Sequence, residues 1–229
     1  MTNWPTEFAN QKGFSLIELA IALIVMATLA ASTLGSFSGQ QLQSAENQWQ
    51  QQADQTLDTL YGFAIRHGRL PCPARATLAS SSDDAGNEDC TLEHGVLPWR
   101  TLALAENDPW GQRLSYYARN TFTGEPANGA RAAFELASSG NANIRASAAS
   151  SSKLADKLPA VLVSHGPNGA GGYRSDGTQR PVDSSDEAEN ADDDLVFVSH
   201  LPDPAFDDHV LWIIPDLRAS RMLRAGLLP

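Results

Sequence analysis

Positive charge is scarce in this chain of 229 residues. Its 16 lysines and arginines are outnumbered by 27 aspartates and glutamates, which gives a formal net charge of −11. No cluster of Lys and Arg is present that could neutralise phosphates and release their counterions, so no nucleic-acid partner is expected. The residues that follow one apolar segment near the N terminus are enough for a single compact domain.

The sequence also lacks the spacings that metal and catalytic centres use. Its histidines are scattered, with no His-x-x-x-His or Cys-x-x-Cys pattern: His67, His94, His165, His200 and His209. Ser164 and His165 could be imagined as a nucleophile and its base, but neighbours on a strand point to opposite faces. The glycine-rich run 166–172 lacks the helix and the lysine of a phosphate-binding loop. We therefore predict that the protein is not an enzyme.

Cysteine is nearly absent, with Cys72 and Cys90 alone. In an oxidising compartment such a pair usually forms a disulfide, and the loop closed here would be worth about 3 kcal/mol. A metal site is the alternative, but it needs more ligands than this segment supplies, since His94 is the only close one. We predict an intramolecular disulfide.

What the chain does contain is one long apolar run. From Phe14 to Leu34 every residue is apolar or small except Glu18, and proline is absent. About 20 such residues make a helix that can cross the hydrocarbon core of a bilayer. A carboxylate inside that helix costs roughly 2.5–3.5 kcal/mol on insertion scales, so Glu18 needs a positive partner. A cut between Gly13 and Phe14 would supply one, because the new α-amine could neutralise Glu18 of a neighbouring copy.

The residues around this cut resemble a known export signal. Lys-Gly-Phe-Ser-Leu-Ile-Glu before an apolar helix is similar to the class III signal of type IV prepilins and type II secretion pseudopilins. The resemblance implies that a prepilin peptidase cleaves after Gly13, that residues 1–13 are a leader peptide, that Phe14 becomes N-methylated, and that Glu18 acts in assembly. An ordinary signal anchor is the alternative, and it would make the Gly-Phe pair and Glu18 accidental.

The resemblance also implies a location and a fold. Residues 14–34 would be a transmembrane helix and later part of the filament core. The protein would pass once through the bacterial inner membrane, with its C-terminal domain in the periplasm, and would then join a pilus or pseudopilus with other pilin or pseudopilin subunits. The predicted fold class is α+β, a long N-terminal helix packed on a small antiparallel β-sheet.

Residues 35–68 are predicted to be the amphipathic second half of the same helix. Apolar residues recur there every three or four positions and indicate a packing face: Leu42, Ala45, Trp49, Ala53, Leu57, Leu60 and Ala64. The other face is rich in glutamine and nearly uncharged. His67 and Gly68, followed by two prolines, form a stop signal, so we predict one helix from Phe14 to Arg66.

Residues 69–229 form the predicted exported domain, which is rich in β-strands. Short β-prone runs separated by Gly, Pro and Asx residues predict antiparallel strands at 112–119, 131–137, 158–164, 195–201 and 208–214. The Ser- and Ala-rich segment 138–152 is predicted to be a flexible surface loop, and 69–111 an irregular connection. A short closing helix is predicted near the C terminus.

These features together predict a subunit of a type IV pilus or a type II secretion pseudopilus. The long loops and the 138–152 insertion favour a minor subunit over the bulk repeat. Apolar helices would bundle in the filament core, and Glu18 with the Phe14 amine would fix their register. The alternative is a membrane-tethered, exported binding module that uses the same signal and does not polymerise.

An acidic stretch near the C terminus adds a metal hypothesis. Calcium takes six to eight oxygen ligands, and a compact loop of like charges repels itself unless a cation lies inside. The order of Asp-Pro-Trp-Gly at 108–111, a glycine-rich turn and an acidic loop resembles the major pseudopilin, in which such a loop binds calcium. The predicted Ca²⁺ ligands are Asn190, Asp192, Asp193 and Asp194. A solvated acidic loop is the alternative.

Overall fold

A computed structural model describes residues 15–135 and 137–214, and for residues 29–41 it describes the backbone alone. The chain divides into two units between Ala45 and Glu46. One long helix, α1 (Leu16–His67), contributes to both units. The predicted helix is confirmed over these residues. Its predicted last residue, Arg66, is one position before the observed last residue, His67.

In the first unit, the apolar side chains at the start of α1 are exposed. Leu16 is 89% exposed, Ile17 70% and Met26 70%. Among the residues that the structure describes, no helix combines the length and the apolar character needed to span a membrane. The predicted membrane segment 14–34 reaches beyond the residues whose side chains are described.

The second unit contains the remaining elements. In chain order they are β1 (His94–Val96), α2 (Trp99–Leu102), β2 (Ser115–Ala118), α3 (Asn120–Thr123), β3 (Ala142–Arg145), β4 (Lys153–Leu158), β5 (Ala160–Ser164), α4 (Ser185–Glu189), β6 (Val196–Val198) and β7 (His209–Trp212). A four-stranded antiparallel sheet has the order β1-β2-β5-β7. A smaller sheet has the order β4-β3-β6, in which β3 and β6 run parallel.

Strand β5 shows how the layers are arranged, because side chains on a strand alternate between its two faces. Ala160 and Leu162 lie in the core that contains α1 residues. Val161 and Val163 point the other way, into a core shared with β3, β4 and β6. The four-stranded sheet therefore lies between the helix and the smaller sheet. The predicted α+β fold, with a helix packed on an antiparallel sheet, is confirmed.

The face of α1 that packs on the sheet follows the predicted stripe. Within the second unit, Trp49, Ala53, Leu60 and Ala64 are all buried. The large rings of Tyr61 and Phe63 join them and widen the apolar face beyond the sequence pattern.

Three predicted segments differ from the structure. Residues 131–135 are bends and not a strand: the Ala133 amide donates to the Gly68 carbonyl at the helix end, and the Phe134 ring packs 5.1 Å from Phe122. The prediction of a loop over 138–152 is wrong for β3, which is buried between β4 and β6. Strand β1 was likewise missed inside the predicted irregular connection. Residues 215–229, with the predicted closing helix, lie outside the described residues.

A stack of aromatic rings packs the start of β7 against α1. The His209 ring is parallel to Trp110, with centroids 5.1 Å apart, and lies 5.4 Å from Trp49. Its Nε2 is 3.5 Å from a carboxylate oxygen of Glu46. Because these rings are half-buried or buried, they fix the backbone at the point where Asp208 precedes the strand.

The predicted disulfide joins Cys72 to Cys90, with 5.0 Å between their Cα atoms. It lies just after the helix, beside Arg69, whose guanidinium forms ion pairs with Glu88 and Glu125 at 2.9 Å each. The Cys72 amide also donates to Glu88 at 3.0 Å. Helix end and connection are thus tied together by a covalent bond and a charged network.

Replacing both cysteines by serine should lower the free energy of unfolding by about 3 kcal/mol, since the unfolded chain regains the freedom of the closed loop. Denaturant unfolding of the two forms measures this difference. Thiol labelling of the denatured, non-reduced wild type should find no free thiol, and a reduced sample is the positive control. Two labelled thiols in the non-reduced sample would contradict the assignment.

Candidate functional site

The start of α1 is the first candidate site. The Ser15 hydroxyl accepts a hydrogen bond from the Ile17 amide at 3.4 Å, in the manner of an N-terminal cap. Glu18 lies in the first turn of the helix, where a negative charge is favoured by the helix dipole. It is exposed, as are the apolar residues beside it. The fold therefore presents one carboxylate on an otherwise apolar helical surface.

The acidic stretch does not gather its carboxylates around one point. Asp192 accepts from the Asp194 amide at 3.2 Å, and Asp194 accepts from the Val196 amide at 2.6 Å. Asp193 is exposed and has φ 60. The Asp192 and Asp194 side chains thus cap the backbone before β6, and the calcium prediction at 192–194 stays untested.

Asn190, the fourth predicted ligand, has its polar atoms in hydrogen bonds. Its Oδ1 accepts from the Val198 amide at 2.8 Å, and its Nδ2 donates to the Val198 carbonyl and to Asp208 Oδ2. The residue is buried and holds α4 to β6 and to the start of β7.

Three other carboxylates do converge. Glu187 on α4 meets Asp207 and Asp208, which precede β7, and ligand oxygens of the three lie within 4.8 Å of one another. Glu187 is 3% exposed and Asp208 4%. We call these three residues the carboxylate cluster.

Burial dominates the electrostatics of this region. Burial, with the nearby Glu187 and Asp207 carboxylates, raises the pKa of Asp208 to about 8. Burial also raises the pKa of Asp207. The pKa of His165 is lowered by burial to about 4, so its ring is neutral at pH 7 and gives Asp208 no counter-charge.

A line of polar side chains leads from the cluster into the sheet. The hydroxyl of Ser115 on β2 lies 2.8 Å from His165 Nε2, and His165 Nδ1 lies 3.8 Å from Asp208 Oδ1. The order serine–histidine–aspartate is that of a nucleophile with its base, but the second distance is too long for a hydrogen bond. A cavity of only about 20 Å³ adjoins Ser115. Ser164, the serine considered from sequence, donates instead to Asp108 at 2.6 Å.

A comparison with protein families matches the N-terminal segment and neither of the acidic regions. The model described as the prokaryotic N-terminal methylation motif matches residues 8–34. Residues 8–34 therefore carry the N-terminal methylation motif that type IV pilin-like proteins share. No curated protein and no solved structure matches the chain.

The matched motif contains every N-terminal residue that was singled out from sequence. Gly13 and Phe14 lie outside the described residues, so cleavage and methylation at this pair stay predictions. Glu18 is described and stands at the first turn of α1. The motif itself implies processing by a prepilin peptidase and membrane-anchored export.

The carboxylate cluster was missed from sequence. The tandem Asp207 and Asp208 before a β-prone run was a usable signal, since the first residues of a strand are held in place by the sheet. Glu187 stood within the acidic stretch but was not selected. No local sequence pattern connects α4 with the residues before β7, because the two segments meet only in the tertiary structure.

Proposed function

We propose that this protein is a subunit, and a minor one, of a type IV pilus or a type II secretion pseudopilus. In this proposal the chain is cut after Gly13, N-methylated at Phe14 and polymerised through α1, with a single pass through the bacterial inner membrane beforehand. The single observation that carries it is the N-terminal methylation motif at 8–34.

Two features of the structure support assembly as the mechanism. The start of α1 exposes Leu16, Ile17 and Met26, which burial among other helices would stabilise. The second unit carries its own cores, so it can stay folded outside a helical bundle. Function then lies in helix packing and in surface contacts, and the proposal assigns no catalytic step.

The processing step is tested by mass spectrometry of the mature chain. We expect an N-terminal fragment that begins with methylated Phe14, and we expect Gly13→Val to keep the leader because the residue before the cut must be small. Asn10→Ala in the leader is the matched control and should be processed normally. A wild-type chain that retains residues 1–13 in cells with active peptidase would contradict the proposal.

The polymerisation step is tested by shearing filaments from cells and sedimenting them. A subunit co-sediments with the filaments in small amounts relative to the main subunit. Retention of the processed chain in the membrane fraction alone would favour the tethered binding module instead.

A further inference from the structure

The carboxylate cluster of Glu187, Asp207 and Asp208 is built like a site for an ion. Its members come from two places in the chain, α4 and the residues before β7, and their ligand oxygens lie within 4.8 Å of one another. Three carboxylates at this separation, two of them buried, cannot all be ionised unless a positive charge lies among them: without a cation, one of them keeps a proton.

Amide donors orient the cluster from outside. Asn168 donates through its side chain to Glu187 Oε1 at 2.7 Å and through its backbone to Asp207 Oδ2 at 3.1 Å. Asn190 donates to Asp208 Oδ2 at 2.8 Å. Each aspartate therefore has one oxygen held by a donor. Hydrogen bonds of this kind fix the carboxylates that bind metal ions in proteins.

The remaining aspartate oxygens are buried and have no hydrogen-bond partner. They are Asp207 Oδ1 and Asp208 Oδ1. An unpaired buried acceptor is costly, and a native fold usually satisfies it. These two atoms are the ones that the amide donors leave available to a ligand.

An independent residue points to the same place. His165 is fully buried, its Nδ1 has no hydrogen-bond partner, and that atom lies 3.8 Å from Asp208 Oδ1. The separation is too long for a hydrogen bond, so the two buried atoms face each other without satisfying each other.

Within the part of the chain that the structure describes, no strong counter-charge pairs with the cluster. Among the ion pairs formed within 15–135 and 137–214, none joins a lysine or an arginine to Glu187, Asp207 or Asp208. A pocket of about 450 Å³, lined by Glu187, Asn168 and Asp183 among others, reaches the cluster at Glu187.

The turn that follows β5 passes very close to Asp207. Gly166 has φ +55, and a Cβ there would lie 2.4 Å from Asp207 Oδ1. Only glycine lets the turn that carries Asn168 approach Asp207 so closely.

We propose that the carboxylate cluster binds one hard divalent cation, with Glu187, Asp207 and Asp208 as its protein ligands. Carboxylate oxygens are the ligands that calcium and magnesium prefer, and water completes their coordination. The ion would lock α4 to the start of β7. It would not use the exposed residues Asp192, Asp193 and Asp194.

Thermal melting of the full-length chain in detergent tests this proposal. After removal of metal by a chelator, Ca²⁺ or Mg²⁺ at about a hundredfold excess over its dissociation constant should raise Tm by about 5–10 °C. Glu187→Gln and Asp208→Asn should each abolish the shift. Asp193→Asn, an exposed acidic residue whose left-handed backbone suits asparagine, is the matched control and should keep the full shift.

Equilibrium dialysis of the wild type with each ion gives a reading that does not depend on the variants folding. We expect one ion bound per chain for at least one of the two metals. Absence of binding and of any Tm shift with both metals would overturn the proposal. So would a shift that Asp208→Asn retains, or one that Asp193→Asn removes.

Discussion

A Glu18→Ala variant should insert into the membrane and be processed like the wild type, yet enter filaments at a level reduced on the order of a hundredfold. The proposed partner of Glu18 is the α-amine of Phe14 on a neighbouring subunit. Removing one member of a buried ion pair leaves the other charge unpaired, which costs roughly 3–5 kcal/mol. The exposed apolar surface of α1 would be unchanged, so the defect should lie in assembly and not in folding.

Quantifying the variant in sheared filaments and in the membrane fraction measures this effect. Thr28→Ala is the matched control, because Thr28 lies on the same helix and its hydroxyl already donates to the Val25 carbonyl at 2.9 Å. Its incorporation should be near normal. Wild-type incorporation of Glu18→Ala would refute the pairing, and equal loss in both variants would point to helix packing instead.

Arg113→Met should lower the free energy of unfolding by about 3–5 kcal/mol, the largest effect expected from one substitution in the folded domain. The Arg113 side chain is fully buried and forms an ion pair with Glu106 at 2.8 Å. It also donates to three backbone carbonyls and lies 4.6 Å from the ring centre of Trp99; the carbonyls belong to Ala76, Leu78 and Ser175. Methionine has a similar length but would leave Glu106 without its counter-charge and would remove the side-chain donor of the Ala76 and Leu78 carbonyls.

Denaturant unfolding of the variant and the wild type measures this difference. Arg100→Met is the matched control, because Arg100 donates to the carbonyls of Ser80, Ser82 and Asp83 at the exposed surface. Water can replace those bonds, so the control should lose about 1 kcal/mol or less. Equal losses in the two variants would show that burial of Arg113 is not what makes it important.

The helix and its packing face could be predicted because their signals are local. Trp49, Ala53, Leu60 and Ala64 recur at the helical period, and His67 with Gly68 ends the pattern where the structure ends α1. The central strands could be predicted for the same reason, since β2 and β5 each contain a compact β-prone run.

The smaller sheet could not be predicted because it depends on distant partners. Strand β3 is four residues long, with Asn143 and Arg145 among them, and the surrounding sequence is typical of a loop. Its parallel pairing with β6 joins Ile144 to Phe197 across more than fifty intervening residues. The carboxylate cluster has the same origin, since a contiguous run of acids is visible in sequence but the convergence of Glu187 with Asp208 is not.

The disulfide has a mechanical consequence for a chain anchored by its helix. A pull along α1 would first load the half of the helix that packs in the core, and beyond the helix end at His67 it would reach the Cys72–Cys90 bond within a few residues. Because that bond joins residues 18 apart in sequence, about 60 Å of contour length cannot be drawn out while it is intact. The Arg69 ion pairs, and the hydrogen bond that the Tyr116 hydroxyl donates to the Pro71 carbonyl, lie between the helix end and the disulfide and would bear tension before the disulfide does. Tension would then pass into the sheet and would not extend the loop that the disulfide closes.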